Sequence, residues 1–193
     1  MDSRKLDFLA GKNHQGIAAV AACKAFSSLA DVFALAAERG EPPFLVVCDE
    51  LEDPHNLGAV IRTAECAGAH GVIIPKRHSA GLTSAVYKAS AGAVEYMPVV
   101  RVTNIADTVN ELKEKNVWVF GLDMDGQSWD KTDLSGAVAL VIGSEGHGIS
   151  RLVRERCDGI VSLPMVGHVN SLNASVAGGI LMYEVLRRRQ NGT

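Results

Sequence analysis

The sequence predicts an α/β fold in which a parallel sheet is covered by helices on both faces. Short segments that are apolar at every position alternate with segments whose apolar residues recur every three or four positions. Strands buried on both faces read as continuous apolar runs, and alternation with helices favours parallel pairing. A length of 193 residues with 47% hydrophobic content is enough for one domain with a sizeable core.

The elements follow from this pattern in chain order. Residues 1 to about 16 are polar and lack periodicity, so they are expected to form a tail or linker. Ser28 and Asp31 have the spacing of a capping box, ahead of a helix whose apolar face carries Leu29, Val32 and Ala36. The remaining predicted elements are a strand at 44–48, a helix carrying Leu57, Val60, Ile61 and Ala64, a strand at 71–74, a helix around 84–91, an extended segment at 94–102, a helix at 105–115, a strand at 117–122, a polar loop at 126–133, a strand at 137–142, a helix at 149–155, a strand at 160–163 and a long helix at about 172–189.

Charge and composition exclude several classes of protein. A formal charge of −3 argues against a strong non-specific nucleic-acid binder, although basic residues cluster at 76–78, at 151–156 and at 187–189. There is no apolar run of membrane-spanning length, and the histidines lack metal-ligand spacing, so we expect neither a membrane segment nor a metal site. The four cysteines include no C-x-x-C pair, which favours reduced, core-packed cysteines in a cytoplasmic protein.

The first of three polar motifs follows the strand at 44–48 and contains Asp53, Asn56 and Arg62. Either Asp53 or Asn56 can cap the helix that follows. Asn56 and Arg62 both fall near the start of this helix, from where they could reach one site. The alternative is that Asn56 only caps the helix and that Arg62 is an ordinary surface residue.

The second motif, Gly143 to Gly148, is a glycine-rich loop after the strand at 137–142. Such loops present backbone amides to anions or small ligands. The spacing G-x-x-G-x-G differs from the dinucleotide fingerprint, which argues against a nucleotide-dependent dehydrogenase. Glu145 would repel phosphate, so we expect it to bond a hydroxyl, an amine or an arginine.

The third motif precedes the long C-terminal helix. Gly167 begins a loop, and Ser171 is the predicted N-cap of the helix. Asn173 is one polar residue more than capping needs, although capping alone remains the alternative. Because the carboxyl ends of parallel strands can converge on one crevice, the three motifs are predicted to form a single site.

Together these motifs resemble the SpoU branch of the SPOUT methyltransferases. The matching stretches are residues 53–64, 142–149 and 163–177, supported by 72–80 and 100–106, and the similarity extends from about His14 to Arg189. It is strongest to the subgroup that methylates a guanosine of 23S rRNA on its ribose 2′-hydroxyl. The resemblance implies a C-terminal deep trefoil knot, S-adenosylmethionine as cofactor, RNA as substrate and a homodimer. Residues 14–17 resemble the junction after an N-terminal RNA-binding domain, so residues 1–40 are interpreted as a linker and N-terminal extension and 41–193 as the catalytic domain.

The resemblance also implies roles for particular residues. Arg62 would act on the ribose hydroxyl, either as a base or by stabilising the forming alkoxide, because a guanidinium barely deprotonates in proteins. Residues that would position Arg62 and the ribose are Asn56, Glu145, Ser171 and Asn173. Residues that would line the cofactor pocket are Leu122, Ile142, Gly143, Gly146, Leu163, Met165 and Leu172.

The expected function is therefore S-adenosylmethionine-dependent 2′-O-methylation of RNA, with a guanosine of 23S rRNA as the target. A tRNA guanosine is the alternative within the class. The alternative from another class is a non-catalytic RNA-binding factor in ribosome assembly, which the joint presence of Arg62, Asn56 and Glu145 disfavours.

Overall fold

A computed structural model of the chain describes residues 24–191 together with Asp7. The tail predicted at residues 1–16 and the junction at 14–17 lie outside this part, except for Asp7. The helices are α1 (Leu29–Arg39), α2 (Pro54–Cys66), α3 (Ser84–Ala89), α4 (Ile105–Glu114), α5 (Arg151–Arg156) and α6 (Ala174–Asn191). The strands are β1 (Phe44–Cys48), β2 (Gly71–Pro75), β3 (Val99–Val102), β4 (Trp118–Ser128), β5 (Val138–Ile142) and β6 (Gly159–Ser162).

Within the described residues the strands form one six-stranded sheet in the order β3-β2-β1-β5-β4-β6. Every neighbouring pair is parallel. Helices cover both faces, so the predicted α/β class is confirmed. The strand order reverses between β1 and β5, and ligands of open parallel sheets bind at such switch points, outside the carboxyl ends of the strands.

The central strand β1 shows why its sequence is apolar throughout. Phe44, Val46 and Cys48 point into a core formed with α2, α3 and α6. Leu45 and Val47 point into a second core, formed with α1, α4 and α5. All five residues are fully buried, because alternate side chains of a strand face opposite sides of the sheet and both sides are covered.

The first and second motifs lie on either side of the switch point. The first motif follows β1 and the second follows β5, and these two strands pair from Phe44–Val138 to Cys48–Ile142. Asp53 caps α2 by accepting from the His55 N–H at 3.1 Å. The capping box at Ser28 is also present: the Asp31 N–H donates to Ser28 Oγ at 3.2 Å, and the Ser28 N–H donates to Asp31 Oδ2 at 2.7 Å.

Three predictions about local structure were wrong. The segment predicted to be extended over 94–102 contains a 3-10 turn at Ala93–Glu95, and only Val99–Val102 is a strand. The loop predicted at 126–133 begins inside β4, which continues to Ser128 because β6 pairs with it beyond a register shift between Leu122 and Gln127. Cys66, the last residue of α2, is exposed rather than core-packed.

Within residues 24–191, no helix is both long enough and apolar enough to cross a lipid bilayer.

Candidate active site

A cavity of about 500 Å³ opens at the carboxyl ends of β4, β5 and β6. All seven residues predicted to line a cofactor pocket are in its wall. They are Leu122, Ile142, Gly143, Gly146, Leu163, Met165 and Leu172. The wall therefore combines the ends of three neighbouring strands with the glycine-rich loop and with the segment that leads into α6.

The glycine-rich loop closes on itself through backbone hydrogen bonds. The Ser144 N–H donates to the Gly148 carbonyl, and the Gly148 N–H to the Ser144 carbonyl, both at 3.0 Å. A Cβ on Gly143 would overlap the backbone of Gly148 and Ile149. Gly146 and Gly148 have φ values of +88° and +66°, a region that glycine adopts without strain. Gly143 is therefore needed for the loop's own closure, a reason that the sequence pattern did not reveal.

Asn173 joins the three motifs through its side-chain amide. Its Nδ2 donates to Asn56 Oδ1 at 2.9 Å and, through a short hydrogen bond, to Glu145 Oε1. Its Oδ1 accepts from the backbone N–H groups of Ser175 and Val176 at 3.0 and 3.3 Å. Both ends of the amide are engaged, so the three motifs are held at one point.

The same contacts correct the predicted cap of the last helix. Ser171 was expected to be the N-cap, but α6 begins at Ala174 and the oxygen of Asn173 receives its first amides. Ser171 instead lines the cavity as part of the loop before the helix. Glu145 was expected to bond a hydroxyl, an amine or an arginine, but its donor within residues 24–191 is the side-chain amide of Asn173.

A pair of carboxylates and one arginine brace the wall after Leu122. Arg154 donates to Asp123 Oδ2 at 2.5 Å and to Asp125 Oδ1 at 2.7 Å. The hydrogen bond from Arg154 is the main reason that the pKa of Asp125 lies below its usual value. Asp123 lines the cavity and lies beside Gly148. Arg154 belongs to α5, so its bonds connect this helix to the part of β4 in which the register shifts.

Asp49 anchors this loop from the other side. Asp49 is almost fully buried, and its Oδ2 accepts from the Ser150 N–H at 2.7 Å. The Asp49 N–H in turn donates to the Ile142 carbonyl at 2.8 Å. The end of β1 thereby fixes both the start and the end of the segment from Ile142 to Ser150.

A second cavity, of about 350 Å³, lies beside the first on the β1 side. Its carboxylate-bearing residues are Glu50, Glu52, Asp53 and Glu145. Asn56 is part of its wall, and Ser144, Glu145 and His147 belong to both cavities. The bond between Asn173 and Glu145 thus lies where the two cavities meet.

Arg62 lies outside both cavities. It is exposed on α2, and its side chain makes no hydrogen bond or ion pair with the rest of residues 24–191. Next to it, Thr63 faces Gly179 of α6. The exposed side of α6 carries Val176, Ile180 and Tyr183, which are 51%, 39% and 51% exposed. The structure therefore brings Asn56, Glu145 and Asn173 together but leaves Arg62 exposed on α2, outside both cavities.

Sequence reasoning missed several residues of the site. Asp49 and Asp123 had a detectable signal, since each is an acidic residue directly beyond a strand's apolar run. Met124 was also missed. The second and third predicted motifs contain further residues that line the first cavity but were given no individual role: Ser144, His147, Gly148, Asn170, Ala174 and Ala177. Among the described residues no group of three His, Cys, Asp or Glu side chains could hold a metal ion.

Comparison with known proteins identifies the family. The model of the SpoU rRNA Methylase family matches residues 43–183. The chain belongs to this family. The chain is 52% identical over 187 residues to YacO of Bacillus subtilis strain 168. YacO is assigned to the TrmH family of tRNA/rRNA methyltransferases. That alignment covers 96% of the present chain and 75% of YacO.

Solved structures of SpoU methylases share the fold. The crystal structure of the SpoU methyltransferase AviRb from Streptomyces viridochromogenes in complex with AdoMet superposes with a TM-score of 0.74 at 31% identity. It covers 79% of this chain, which spans only 60% of the AviRb chain. The crystal structure of an RNA 2′-O ribose methyltransferase superposes with a TM-score of 0.70 at 26% identity. The superposition covers 88% of the present chain and 61% of the methyltransferase chain.

Proposed function

We propose that this chain transfers the methyl group of S-adenosylmethionine to a ribose 2′-hydroxyl of RNA, with a guanosine of 23S rRNA as the target. The observation that carries the proposal is the convergence of all seven predicted cofactor residues on one cavity, with Glu145 and Asn173 at its junction with a second. Membership of the SpoU family and the AdoMet complex of AviRb support it. Residues 41–193 are then the catalytic domain.

The first cavity has the chemistry that S-adenosylmethionine requires. Leu122, Ile142, Leu163, Met165 and Leu172 offer apolar surface to an adenine ring. The glycine-rich loop presents backbone without side chains, so a ligand can approach closely. Carboxylates at Asp123 and Glu145 suit the positively charged sulfonium and amine, and none of the described residues that line this cavity is a lysine or an arginine.

Methyl transfer needs the ribose oxygen in line with the methyl group and a destination for its proton. When bound, the sulfonium supplies an electrophilic methyl group: the bond from carbon to sulfur breaks as the bond from carbon to oxygen forms. Glu145 and Asn56, both held by Asn173, position the ribose at the meeting point of the cavities. Arg62 stabilises the developing alkoxide, and the proton passes to an RNA phosphate or to water. A 2′-hydroxyl is present only in RNA, so DNA cannot replace the substrate.

The position of Arg62 leads us to propose a homodimer. The stripe of Val176, Ile180 and Tyr183 is exposed in one chain, and such a stripe is typical of an interface. Arg62 is exposed on α2, and the next residue, Thr63, faces Gly179 of α6. A two-fold contact through this stripe would direct Arg62 of the partner subunit towards the cavities of the first. We also propose the trefoil knot that the family resemblance implies, and we place it in the segment that leads into α6.

Mixed dimers test whether Arg62 acts across the interface. Arg62→Ala and Gly143→Val chains, each inactive alone, are combined by denaturing and refolding. If Arg62 acts on the partner's cavity, each mixed dimer gains one complete site and activity returns. If Arg62 acts within its own chain, neither site is complete and the mixture stays inactive. A monomeric mass by light scattering at micromolar concentration would contradict the dimer itself.

Mapping of 2′-O-methylation tests the function. Unmodified transcripts of 23S rRNA and of tRNAs are incubated with the protein and S-adenosylmethionine, and modified riboses are located by their resistance to alkaline cleavage. We expect one guanosine in 23S rRNA. Modification only in tRNA would favour the alternative substrate, since the family to which YacO is assigned includes both tRNA and rRNA methyltransferases. RNA binding without any methylation would favour the non-catalytic assembly factor.

Cofactor choice is tested separately by thermal unfolding. A ligand that binds only the folded state stabilises it by RT ln(1 + [L]/Kd). S-adenosylmethionine and its demethylated product should both raise the melting temperature, and NAD should not. A shift with NAD alone would contradict the cofactor assignment.

A further inference from the structure

The segment after β2 carries three exposed basic residues, Lys76, Arg77 and His78, which we call the basic loop. β2 is the neighbour of β1, so this loop lies at the same edge of the sheet as the cavities. The side chains of Lys76 and Arg77 make no hydrogen bond or ion pair with the rest of residues 24–191. In contrast, Arg154 and Arg156, which formed a basic cluster in the sequence, are both paired with carboxylates.

Several contacts hold the basic loop against the second cavity. His78 Nδ1 lies 3.4 Å from Glu52 Oε1, and Glu52 lines that cavity. The Ala80 N–H donates to the Leu51 carbonyl at 3.0 Å, and Leu51 is also in the wall. The Lys76 N–H donates to the Val102 carbonyl at 2.8 Å, which attaches the start of the loop to the end of β3. The backbone of the basic loop is thus fixed between the end of β3 and the wall of the second cavity, and Lys76 and Arg77 are exposed at this edge of the sheet.

The charges around the second cavity make the two cations important. Glu50, Glu52, Asp53 and Glu145 surround the second cavity, and the whole chain has a formal charge of −3. A polyanionic strand approaching such a wall is repelled by its carboxylates. Unpaired lysine and arginine side chains at the rim offset this repulsion, and the guanidinium fork matches the oxygens of a phosphate.

We propose that Lys76 and Arg77 bind the phosphates of the RNA strand next to the nucleotide that is methylated. This inference rests on the proposed function, since it requires RNA to enter the second cavity. The basic loop positions the strand, whereas the carboxylates and Asn56 inside the cavity are reached only by the nucleotide. A phosphate contact of this kind strengthens binding without reading the base sequence.

The test compares two pairs of substitutions in the full chain. The first is Lys76→Ala with Arg77→Ala. The matched control is Arg39→Ala with Lys131→Ala, because it also removes one exposed arginine and one exposed lysine. Arg39 ends α1 just before β1, and Lys131 precedes β5, so both lie towards the amino ends of the strands and away from the cavities. The probes are a 23S rRNA transcript and a single-stranded DNA of the same sequence.

The Lys76/Arg77 variant should bind both probes roughly two- to thirtyfold more weakly, the range expected for two exposed charge contacts. The slope of log K against log salt should become shallower by about 1 to 2, because fewer counterions are released. KM for RNA should rise, while kcat at saturating RNA and the affinity for S-adenosylmethionine stay unchanged. The control variant should match the wild type in every measurement.

Two outcomes would overturn the inference while leaving the proposed function intact. One is a wild-type RNA affinity and salt slope in the Lys76/Arg77 variant. The other is an equal loss in the control variant, which would show that only total charge matters. If the wild-type chain methylates no RNA at all, the proposed function fails and the inference fails with it, so the two failures are distinguishable.

Discussion

The two cavities at the carboxyl edge of the sheet differ in what forms their walls. The first, between the glycine-rich loop and the start of α6, is lined largely by backbone and by apolar side chains. The second, between α2 and the same loop, is lined largely by carboxylates, with the basic loop at its rim. We infer that the first selects its ligand by shape and close approach, whereas the second works by charge and positioning.

The largest expected effect separates the chemistry from cofactor binding. Arg62→Ala should lower the rate of methyl transfer by about 10² to 10³, the scale for removing one preorganised donor. Cofactor affinity should stay unchanged, because Arg62 lines neither cavity. Single-turnover methylation and calorimetry measure the two quantities. Near-normal turnover would show that Arg62 is an ordinary surface residue.

The next effect concerns the first cavity alone. Gly143→Ala places a Cβ against the backbone of Gly148 and Ile149, which cannot move aside as a flexible side chain would. Overpacking of this kind costs about 1–3 kcal/mol, so cofactor affinity should fall by roughly 5- to 150-fold. Gly136→Ala is the control, since a Cβ there meets nothing within 4 Å. Normal cofactor binding by Gly143→Ala would mean that the loop shape is not needed.

A smaller effect is expected where the wall of the first cavity is braced. Arg154→Met removes the bonds to Asp123 and Asp125 but keeps an apolar stem, and cofactor affinity should fall by about fivefold, or 1 kcal/mol. Arg156→Met is the matched control. The two arginines are similarly exposed, at 31% and 28%, but Arg156 pairs with Asp107, outside the site.

Calorimetry with S-adenosylmethionine and a urea unfolding curve should be recorded for both arginine variants. Equal losses of cofactor affinity would mean that Arg154 acts only through the general stability of α5. Recovery of affinity in Arg154→Lys, which keeps one charged donor, would support its role in positioning Asp123.

The smallest effect lies away from both cavities. Ser28→Ala removes the capping box of α1 and should lower the free energy of unfolding by about 1 kcal/mol. Neither cofactor affinity nor RNA affinity should change, because Ser28 lies in neither wall. Urea denaturation at neutral pH measures the loss. A simultaneous loss of RNA binding would mean that the two cavities are not independent of the rest of the fold.

Most of the fold could be predicted because its signals are local. The apolar run of β1 and the three-to-four spacing in α2 each reflect the faces that those elements bury. The end of β4 could not be predicted, because residues beyond Leu122 are polar and remain in a strand only where β6 pairs with them. The cap of α6 was misplaced for a similar reason. Serine and asparagine are both good caps, and contacts to Asn56 and Glu145 decide between them.

By itself, the sequence determined the layered α/β fold, the position of each polar motif at the end of a strand, and the apolar or glycine residues that surround the first cavity. Only the tertiary structure decided which of these residues meet. Asn173 and Asn56 are 117 residues apart, and their contact depends on α6 packing against α2 over the sheet. The roles of the exposed charges of Lys76, Arg77 and Arg62 can likewise be inferred only from the tertiary structure. A solvated side chain costs the fold little wherever it lies, so only its place relative to the cavities indicates what it can bind.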